Sequence, residues 1–405
     1  MTETSAPVRR RATIFVFVTV VLDAMGIGII IPVMPDLLRE LSGLTIGQAA
    51  LWGGYLSFSY ALMQFLFSPA IGNLSDRYGR RPVLLISLFM LGIDYIVMAL
   101  APTLWILFVG RVLAGIAGAT YSTCNAVIAD ITPKENRATA FGLVGAGFGV
   151  GFILGPALGG LMGELGTRAP FLAAAAVAFA NFCYGWFVMP ESLTPEKRRA
   201  FDWRRANPMG AFVQVAKVPM VAWFVLVTLM FGLAHHVYPS IWSFYTKEKF
   251  DWASWEIGLS LASVGICMAA VQGWLIRYIV PWLGEVRTVL LGIGAEVIAL
   301  VGIGLATKGW ILYLLIPAAA LGNIVSPALT ALMANRIPDD AQGELQGVIS
   351  SAQSITVVLS PIMMTQLFGA FTAPGAPYVP GAPFLAAGIL MILALLPFWF
   401  GLKRR

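Results

Sequence analysis

Long apolar runs separated by short polar segments dominate the chain. A helix that crosses a lipid bilayer needs about 20 residues, and the apolar runs, divided at charges and at proline or glycine clusters, have this length. The twelve predicted spans, numbered 1 to 12 in chain order, are 12–35, 47–71, 82–101, 103–129, 138–163, 169–189, 219–244, 255–280, 287–306, 309–335, 343–369 and 382–401. The pattern predicts an all-α membrane protein with twelve transmembrane helices.

A polar stretch in the middle of the chain divides the spans into two groups of six. It begins at Glu191 and ends near Lys217. Two six-helix halves joined by such a stretch are typical of transporters. We therefore expect an N-terminal bundle over residues 1–190, a cytoplasmic linker over 191–218 and a C-terminal bundle over 219–405.

Lysine and arginine residues are distributed unequally between the two sides of this topology. Of the 26, 20 fall on the side of both termini, five on the opposite side, and Arg111 lies within span 4. Cytoplasmic loops carry an excess of positive charge. The pattern therefore places both termini in the cytoplasm and the multi-pass chain in the inner (cytoplasmic) membrane, and it explains the net charge of +6 without nucleic-acid binding.

The composition excludes a soluble protein, since 59% of the residues are apolar and 11% charged, against about 45–50% and about 25% in soluble domains. No HExxH, GxSxG or GxxxxGK[ST] string occurs. The three cysteines lie in separate runs without CxxC spacing. We expect neither an enzyme, nor a bound cofactor, nor a metal site.

Four charged side chains are predicted to lie near the middle of the bilayer. Counted from the cytoplasmic helix ends, Asp23, Asp94 and Glu296 lie roughly 16, 18 and 14 Å deep in a core about 30 Å thick. Arg111 enters span 4 from the opposite side and reaches roughly 12 Å. All four would share one level.

These four groups would carry a charge of −2 if all were ionised, which a low dielectric strongly disfavours. At least one acid should therefore bind a proton readily. A carboxyl that faces each side in turn and exchanges its proton for a cationic or polar cargo would couple export to the proton gradient. The alternative is that the acids only pair with polar groups and hold helices together.

Further polar side chains within the spans are candidates for lining a cargo cavity. They are Gln64, Asn125, Gln272 and Gln353. The only two histidines of the chain, His235 and His236, lie together in span 7. One of them could line the cavity, and a solvated or packing role fits equally well.

The connection between spans 2 and 3 holds the most specific motif, GNLSDRYGRRP over residues 72–82. Its glycines allow a tight reversal between two helices, and its charges suit a cytoplasmic loop. The string matches GxLSDRxGRR, by which the chain resembles the major facilitator superfamily. The resemblance implies a cytoplasmic gate, and a solvated charge cluster is the alternative. The gate residues would be Gly72, Asp76, Arg77, Gly79, Arg80, Arg81 and, at the end of span 4, Asp130.

A glycine motif in span 5 would let another helix approach closely, and its proline allows a bend. Beyond this packing role, its spacing resembles the antiporter signature of drug/proton exporters, which implies export by exchange. It comprises Gly142, Gly151, Gly155, Pro156, Gly159 and Gly160. The string GRVLAGIAGAT over residues 110–120, which contains Arg111, resembles the span-4 motif of the same exporters.

Local stretches over most of the chain resemble the tetracycline/proton antiporter branch. They include DAMGIGIIIPVMPDLL (23–38), ALMQFLFSP (61–69) and IGLSLASVGI (257–266). The resemblance implies proton-coupled efflux of amphipathic drugs by alternating access, with the acids of spans 1, 3 and 9 as functional groups. The expected partners are a small-molecule cargo, protons and the lipid bilayer. A divalent cation would enter only with the cargo, and we expect a functional monomer.

Two positions depart from the pattern of that branch. Glu296 stands where an Asp is usual, and Met268, which cannot titrate, stands where the tetracycline exporters carry a His in span 8. The departures leave the cargo open. A proton-coupled carrier of a single physiological metabolite is the alternative to a drug exporter.

Overall fold

The regular elements of the described chain are all helical. The computed structural model describes residues 6–118, 120–133, 136–201, 221–338 and 341–403. The N-terminal helices are α1 (Ala6–Ile30), α2 (Met34–Ser42), α3 (Ile46–Tyr78), α4 (Arg80–Leu100), α5 (Leu104–Ala117), α6 (Thr120–Ile131), α7 (Arg137–Gly163) and α8 (Ala169–Val188). The C-terminal helices are α9 (Ala222–His235), α10 (Val237–Phe250), α11 (Ser254–Ala270), α12 (Ile276–Leu305), α13 (Trp310–Gly322), α14 (Val325–Ala334), α15 (Gln342–Thr372), α16 (Ala382–Leu393) and α17 (Leu395–Lys403). The predicted all-α class is confirmed.

Ten helical stretches within the described residues are long and apolar enough to cross a membrane. One of them, Ser254–Leu305, contains both span 8 and span 9. These spans part at Gly284, whose φ of 71° is not helical. Span 2 lies on α3, which is not among the ten. Within the described residues, each of the twelve predicted spans therefore lies largely on helical structure.

Several predicted spans are broken helices rather than single ones. Pro239, Pro327 and Pro397 each leave the carbonyl four residues earlier without an N–H partner. The junctions α9/α10, α13/α14 and α16/α17 fall at these places. In span 1, α1 ends at Ile30, shortly before Pro32, because the residue before a proline disfavours helical geometry. Hydropathy alone does not reveal such breaks.

The chain forms two compact units. The first comprises Met1–Ser42, Ser59–Pro208 and Ala253–Ala262, and the second Gly43–Phe58, Met209–Trp252 and Ser263–Arg405. In the first unit α1 packs against α7 and α8, and α4 against α5 and α8. In the second, α12 packs against α13, α14 and α16, and α9 against α15, α16 and α17. The bundle boundaries at 190 and 219 stay a prediction, and residues 202–218 of the predicted linker, with the first two residues of the predicted C-terminal bundle, lie outside the described residues.

Each unit has apolar packing between its helices. In the first unit Phe15, Leu88 and Val127 are completely or almost completely buried in one cluster. In the second, Ala320 and Ile324 are buried in another cluster. Lipid is as apolar as leucine, so van der Waals fit rather than water exclusion holds such helices together.

Candidate functional site

A buried ion pair joins α4 and α5 in the first unit. The Arg111 guanidinium contacts Asp94 Oδ2, and the two side chains are 11% and 3% exposed. Gly110 allows this approach, since a Cβ there would lie 3.0 Å from Val97 Cγ1 and 3.4 Å from Asp94 Oδ1. The structure thus brings together two of the four predicted charged residues. Removing one partner of a buried pair costs about 3–5 kcal/mol, because the other charge stays buried.

Asp23 on α1 is a part-buried carboxyl without an ion-pair partner among the described residues. It interacts electrostatically with two tyrosines, Tyr60 of α3 and Tyr95 of α4. The Tyr95 hydroxyl is buried and finds no hydrogen-bond partner in the described part of the chain. Gly26 makes room for it, since a Cβ at that position would lie 3.0 Å from Tyr95 Oη. The ring of Tyr60 faces the Arg111 guanidinium at 5.3 Å.

Glu296 on α12, in the second unit, pairs with a histidine of α9. Its Oε1 lies 3.0 Å from His235 Nδ1, and the side chains are 0% and 21% exposed. The other oxygen, Oε2, is buried without a hydrogen-bond partner among the described residues. It lies against Gly322, where a Cβ would overlap it. The sequence left the role of His235 open, and the structure brings its imidazole into contact with the Glu296 carboxyl.

The two adjacent histidines make different contacts. His235 stacks on Phe231 (ring centroids 5.3 Å apart, planes at 13°) and meets Tyr238 edge-on at 5.3 Å. His236, between α9 and α10, instead has its Nδ1 2.8 Å from the Gly232 carbonyl oxygen of α9. The Tyr238 hydroxyl is buried and unpartnered within the described residues. The sequence reasoning missed Tyr238, although the uninterrupted helix that it predicted for span 7 would already place residues three apart on one face.

The four amide candidates occupy separate places. Gln64 donates from Nε2 to the Gly118 carbonyl at 2.8 Å, where α5 ends, so its amide serves the break in span 4. Asn125 is part-buried on α6, and Gln272 and Gln353 are exposed. No hydrogen bond among the described residues brings these four amides to the charged groups.

Met268 packs against apolar residues rather than a charged group. Its neighbours in the cluster include Val271, Ala320 and Ile324. At the place where the resemblance implied a histidine, the second unit therefore has hydrophobic packing.

Arg80 is the centre of a charged network at the start of α4. Its guanidinium lies 2.6 Å from Asp76 Oδ1 and 3.0 Å from Asp130 Oδ2, and Nη1 lies 3.2 Å from Ser75 Oγ. Three of the five charged residues for which the resemblance implied a gate, Asp76, Arg80 and Asp130, are therefore in contact. Arg77 lies over the Tyr78 ring instead, 5.1 Å from its centroid.

Glu191 anchors the N-terminus of α4, a role that the sequence reasoning missed. Its carboxylate accepts hydrogen bonds from the backbone N–H groups of Arg80 (2.8 Å) and Arg81 (3.2 Å). It thus satisfies two donors that a helix start leaves free, at the positive end of the helix dipole. Gly79, with φ 108°, turns the chain here, and a Cβ would overlap the Glu191 carboxylate. Both facts require glycine at this position, whereas Gly72 lies in open space.

The glycine motif of span 5 packs α7 closely on α1. A Cβ at Gly155 would lie 2.5 Å from the Met25 carbonyl oxygen of α1. Cβ atoms at Gly151 and Gly159 would overlap other backbone oxygens of α1. Further packing comes from Gly160, where a Cβ would lie 2.6 Å from the Ser254 carbonyl oxygen, and from Pro156, whose backbone lies against Gly258. At Gly142 nothing lies within 4 Å, so close packing does not extend to this residue.

The comparisons with known proteins identify the family. A family model described as Major Facilitator Superfamily matches residues 16–361. The chain belongs to the Major Facilitator Superfamily, whose members are transporters rather than enzymes.

Within that family the chain is similar to tetracycline resistance proteins. It is 40% identical over 373 residues to the class C protein of Escherichia coli, covering 92% of this chain and 93% of that protein. It is 37% identical over 372 residues to the class G protein of Vibrio anguillarum, covering 89% and 91%. The crystal structure of the nucleoside transporter NupG matches with a TM-score of 0.77 at 14% identity, covering 98% of this chain and 100% of that one, and shows the shared fold. The predicted superfamily and branch are confirmed.

Proposed function

We propose that the chain is a proton-coupled antiporter that exports amphipathic drugs, tetracycline-like or otherwise lipophilic, by alternating access. Its similarity to tetracycline resistance proteins supports the drug class. One observation carries the proton coupling: Glu296 is completely buried, and its partner is a titratable histidine at 3.0 Å rather than a fixed cation. An enclosed carboxyl is costly to keep charged. Such a group holds a proton while closed and releases it when water reaches it.

The charged residues of the first unit have different parts in this proposal. Arg111 neutralises Asp94, and this pair holds α5 against α4 beside the cargo path. Asp23 has no cationic partner among the described residues, so a cationic cargo group or a proton would compensate it. The Arg80 network and the span-5 glycines serve the conformational change.

The proposal also includes the setting in which the protein works. The chain would lie in the inner membrane as a monomer with both termini in the cytoplasm, following its arginine and lysine distribution. Its power would come from the proton gradient without a resident cofactor, and a divalent cation would enter only as part of a chelated cargo.

Everted membrane vesicles with an acidified interior test this function. Addition of a tetracycline, a quinolone, chloramphenicol or a lipophilic cation should release protons through the unaltered protein and not through Glu296→Gln. Glu285→Gln is the matched control, because it makes the same chemical change at another acid of α12, part-buried, whose Oε1 accepts a hydrogen bond from Asn335 Nδ2 at 2.6 Å. Normal drug-dependent proton release by a folded Glu296→Gln protein would refute the coupling role. Silence with every compound, from a folded protein, would favour the single-metabolite carrier.

A further inference from the structure

We propose that His235 shares the transported proton with Glu296, so that the two side chains form one proton-carrying pair that cargo does not touch while the site is closed. The inference rests on the proposed function and names the proton site within it. It concerns contacts inside the second unit.

The geometry suits a shared proton. His235 is the last residue of α9, at the interruption of span 7, and its ring contacts Glu296 of α12. The Nδ1 to Oε1 distance of 3.0 Å is an ordinary hydrogen-bond length. Stacking on Phe231 and edge contact with Tyr238 hold the imidazole plane in place. The proton therefore has a donor and an acceptor in fixed positions.

The charge balance explains why the pair would carry one proton. A neutral imidazole with an ionised carboxyl has a net charge of −1, and one added proton makes the pair neutral whichever residue holds it. Glu296 is 0% exposed, and its free Oε2 faces Gly322 rather than a charged group. The closed site thus favours the loaded, neutral pair. Cargo has no access to the carboxyl until the helices move.

Among the described contacts, no permanently charged side chain packs against the His235–Glu296 pair. The titratable neighbours on the same span are His236, directed to the Gly232 carbonyl, and Tyr238, which interacts with Glu296. The three neighbouring helices contribute uncharged residues here. Gly322 of α13 lies against Glu296, and the Phe384 ring of α16 lies 6.0 Å from the Tyr238 ring. Ser360 of α15 donates its hydroxyl to the Leu233 carbonyl. His235 and Glu296 can therefore act as one proton-carrying unit.

Two measurements test the pair, and His236 supplies the matched control. In everted vesicles with tetracycline as the probe, His235→Gln should lower proton-driven uptake about tenfold or more, the effect of moving a protonation midpoint by about one pH unit. His236→Gln should retain uptake, because its ring serves only its own helix in the described contacts. Equal, near-normal uptake by both variants would overturn the proposal.

The second measurement needs no cargo. With two histidines in the chain, the ¹⁵N-histidine spectrum of His236→Gln protein in lipid nanodiscs reports on His235 alone. Adding Glu296→Gln should move its titration midpoint by about one pH unit or more, and adding Glu285→Gln should not. A midpoint indifferent to Glu296→Gln would refute the pair. A shifted midpoint without tetracycline uptake by the unaltered protein would support the pair and reject the proposed cargo.

Discussion

Gly322→Ala directly perturbs the Glu296 carboxyl, to which we assign the transported proton. A Cβ at Gly322 would overlap Glu296 Oε2 and would lie 3.0 Å from its Cδ and 3.1 Å from its Cβ. The carboxyl is enclosed, so it cannot swing into open space. Overpacking of this kind costs about 1–3 kcal/mol. If the carboxyl yields by leaving His235, the paired state becomes about 5- to 150-fold less favourable.

The assay is proton-driven uptake into everted vesicles across a pH series, together with thermal unfolding of the purified protein. Gly322→Ala should reduce uptake strongly and lower the unfolding temperature. Gly294→Ala is the control, since this glycine of α12 has nothing within 4 Å of an added Cβ and should gain up to about 1 kcal/mol from reduced chain entropy. A Gly322→Ala protein with the unaltered rate and pH profile would show that the position of the Glu296 carboxyl is irrelevant to coupling.

Three further predictions concern packing, helix anchoring and pH. Gly155→Ala should lower the free energy of unfolding by about 1–3 kcal/mol, whereas Gly149→Ala, with nothing within 4 Å, should not; denaturation of the two proteins in mild detergent compares them. Glu191→Ala should cost about 1–2 kcal/mol, as the loss of a helix cap does, and faster hydrogen exchange at the start of α4 would reveal it. The Thr167 hydroxyl holds the pKa of Glu40 below its ordinary 4.5, opposed by partial desolvation and helped by Arg168. Because the pKa is lowered in the folded state, the Glu40 carboxylate stabilises the fold at pH values above its ordinary pKa, and this stabilisation is lost as the pH falls through the lowered pKa. Glu40→Gln should therefore flatten the acid limb of a stability-against-pH curve below about pH 4.5.

The positions of the spans were predictable because membrane helices need long apolar runs. Span 5 was expected over 138–163 and is Arg137–Gly163, and span 6 was expected over 169–189 and is Ala169–Val188. The interruptions were not predicted, although proline explains several of them. At Gly118 no proline is involved; its backbone ψ of 61° is not helical. The Gln64 amide that bonds its carbonyl comes from a helix 54 residues earlier, so local sequence could not indicate that contact.

The sequence supplied candidate residues for the site but not their pairings. It predicted one shared depth for four charged side chains without saying which of them pair, and the structure brings Arg111 to Asp94. The partner of Glu296 could not be deduced, because His235 lies 61 positions away and its neighbour His236 has the same helical propensity and chemistry. Which of the two faces α12 depends on where span 7 breaks. Pro239 favours a break in the helix, but the proline alone does not determine at which residue the helix ends.

The three buried or part-buried acids differ in what neutralises them, and this difference separates their roles. An arginine does not lose its proton in proteins, so in the proposed mechanism the Asp94–Arg111 pair positions its surroundings and carries no proton. A histidine changes charge near neutral pH, so the Glu296–His235 pair can gain and lose one proton. Asp23 has neither kind of partner among the described residues. In the proposed antiport cycle Asp23 is therefore the group that a proton and a cationic cargo occupy in turn, because its charge has to be compensated by something that arrives and leaves.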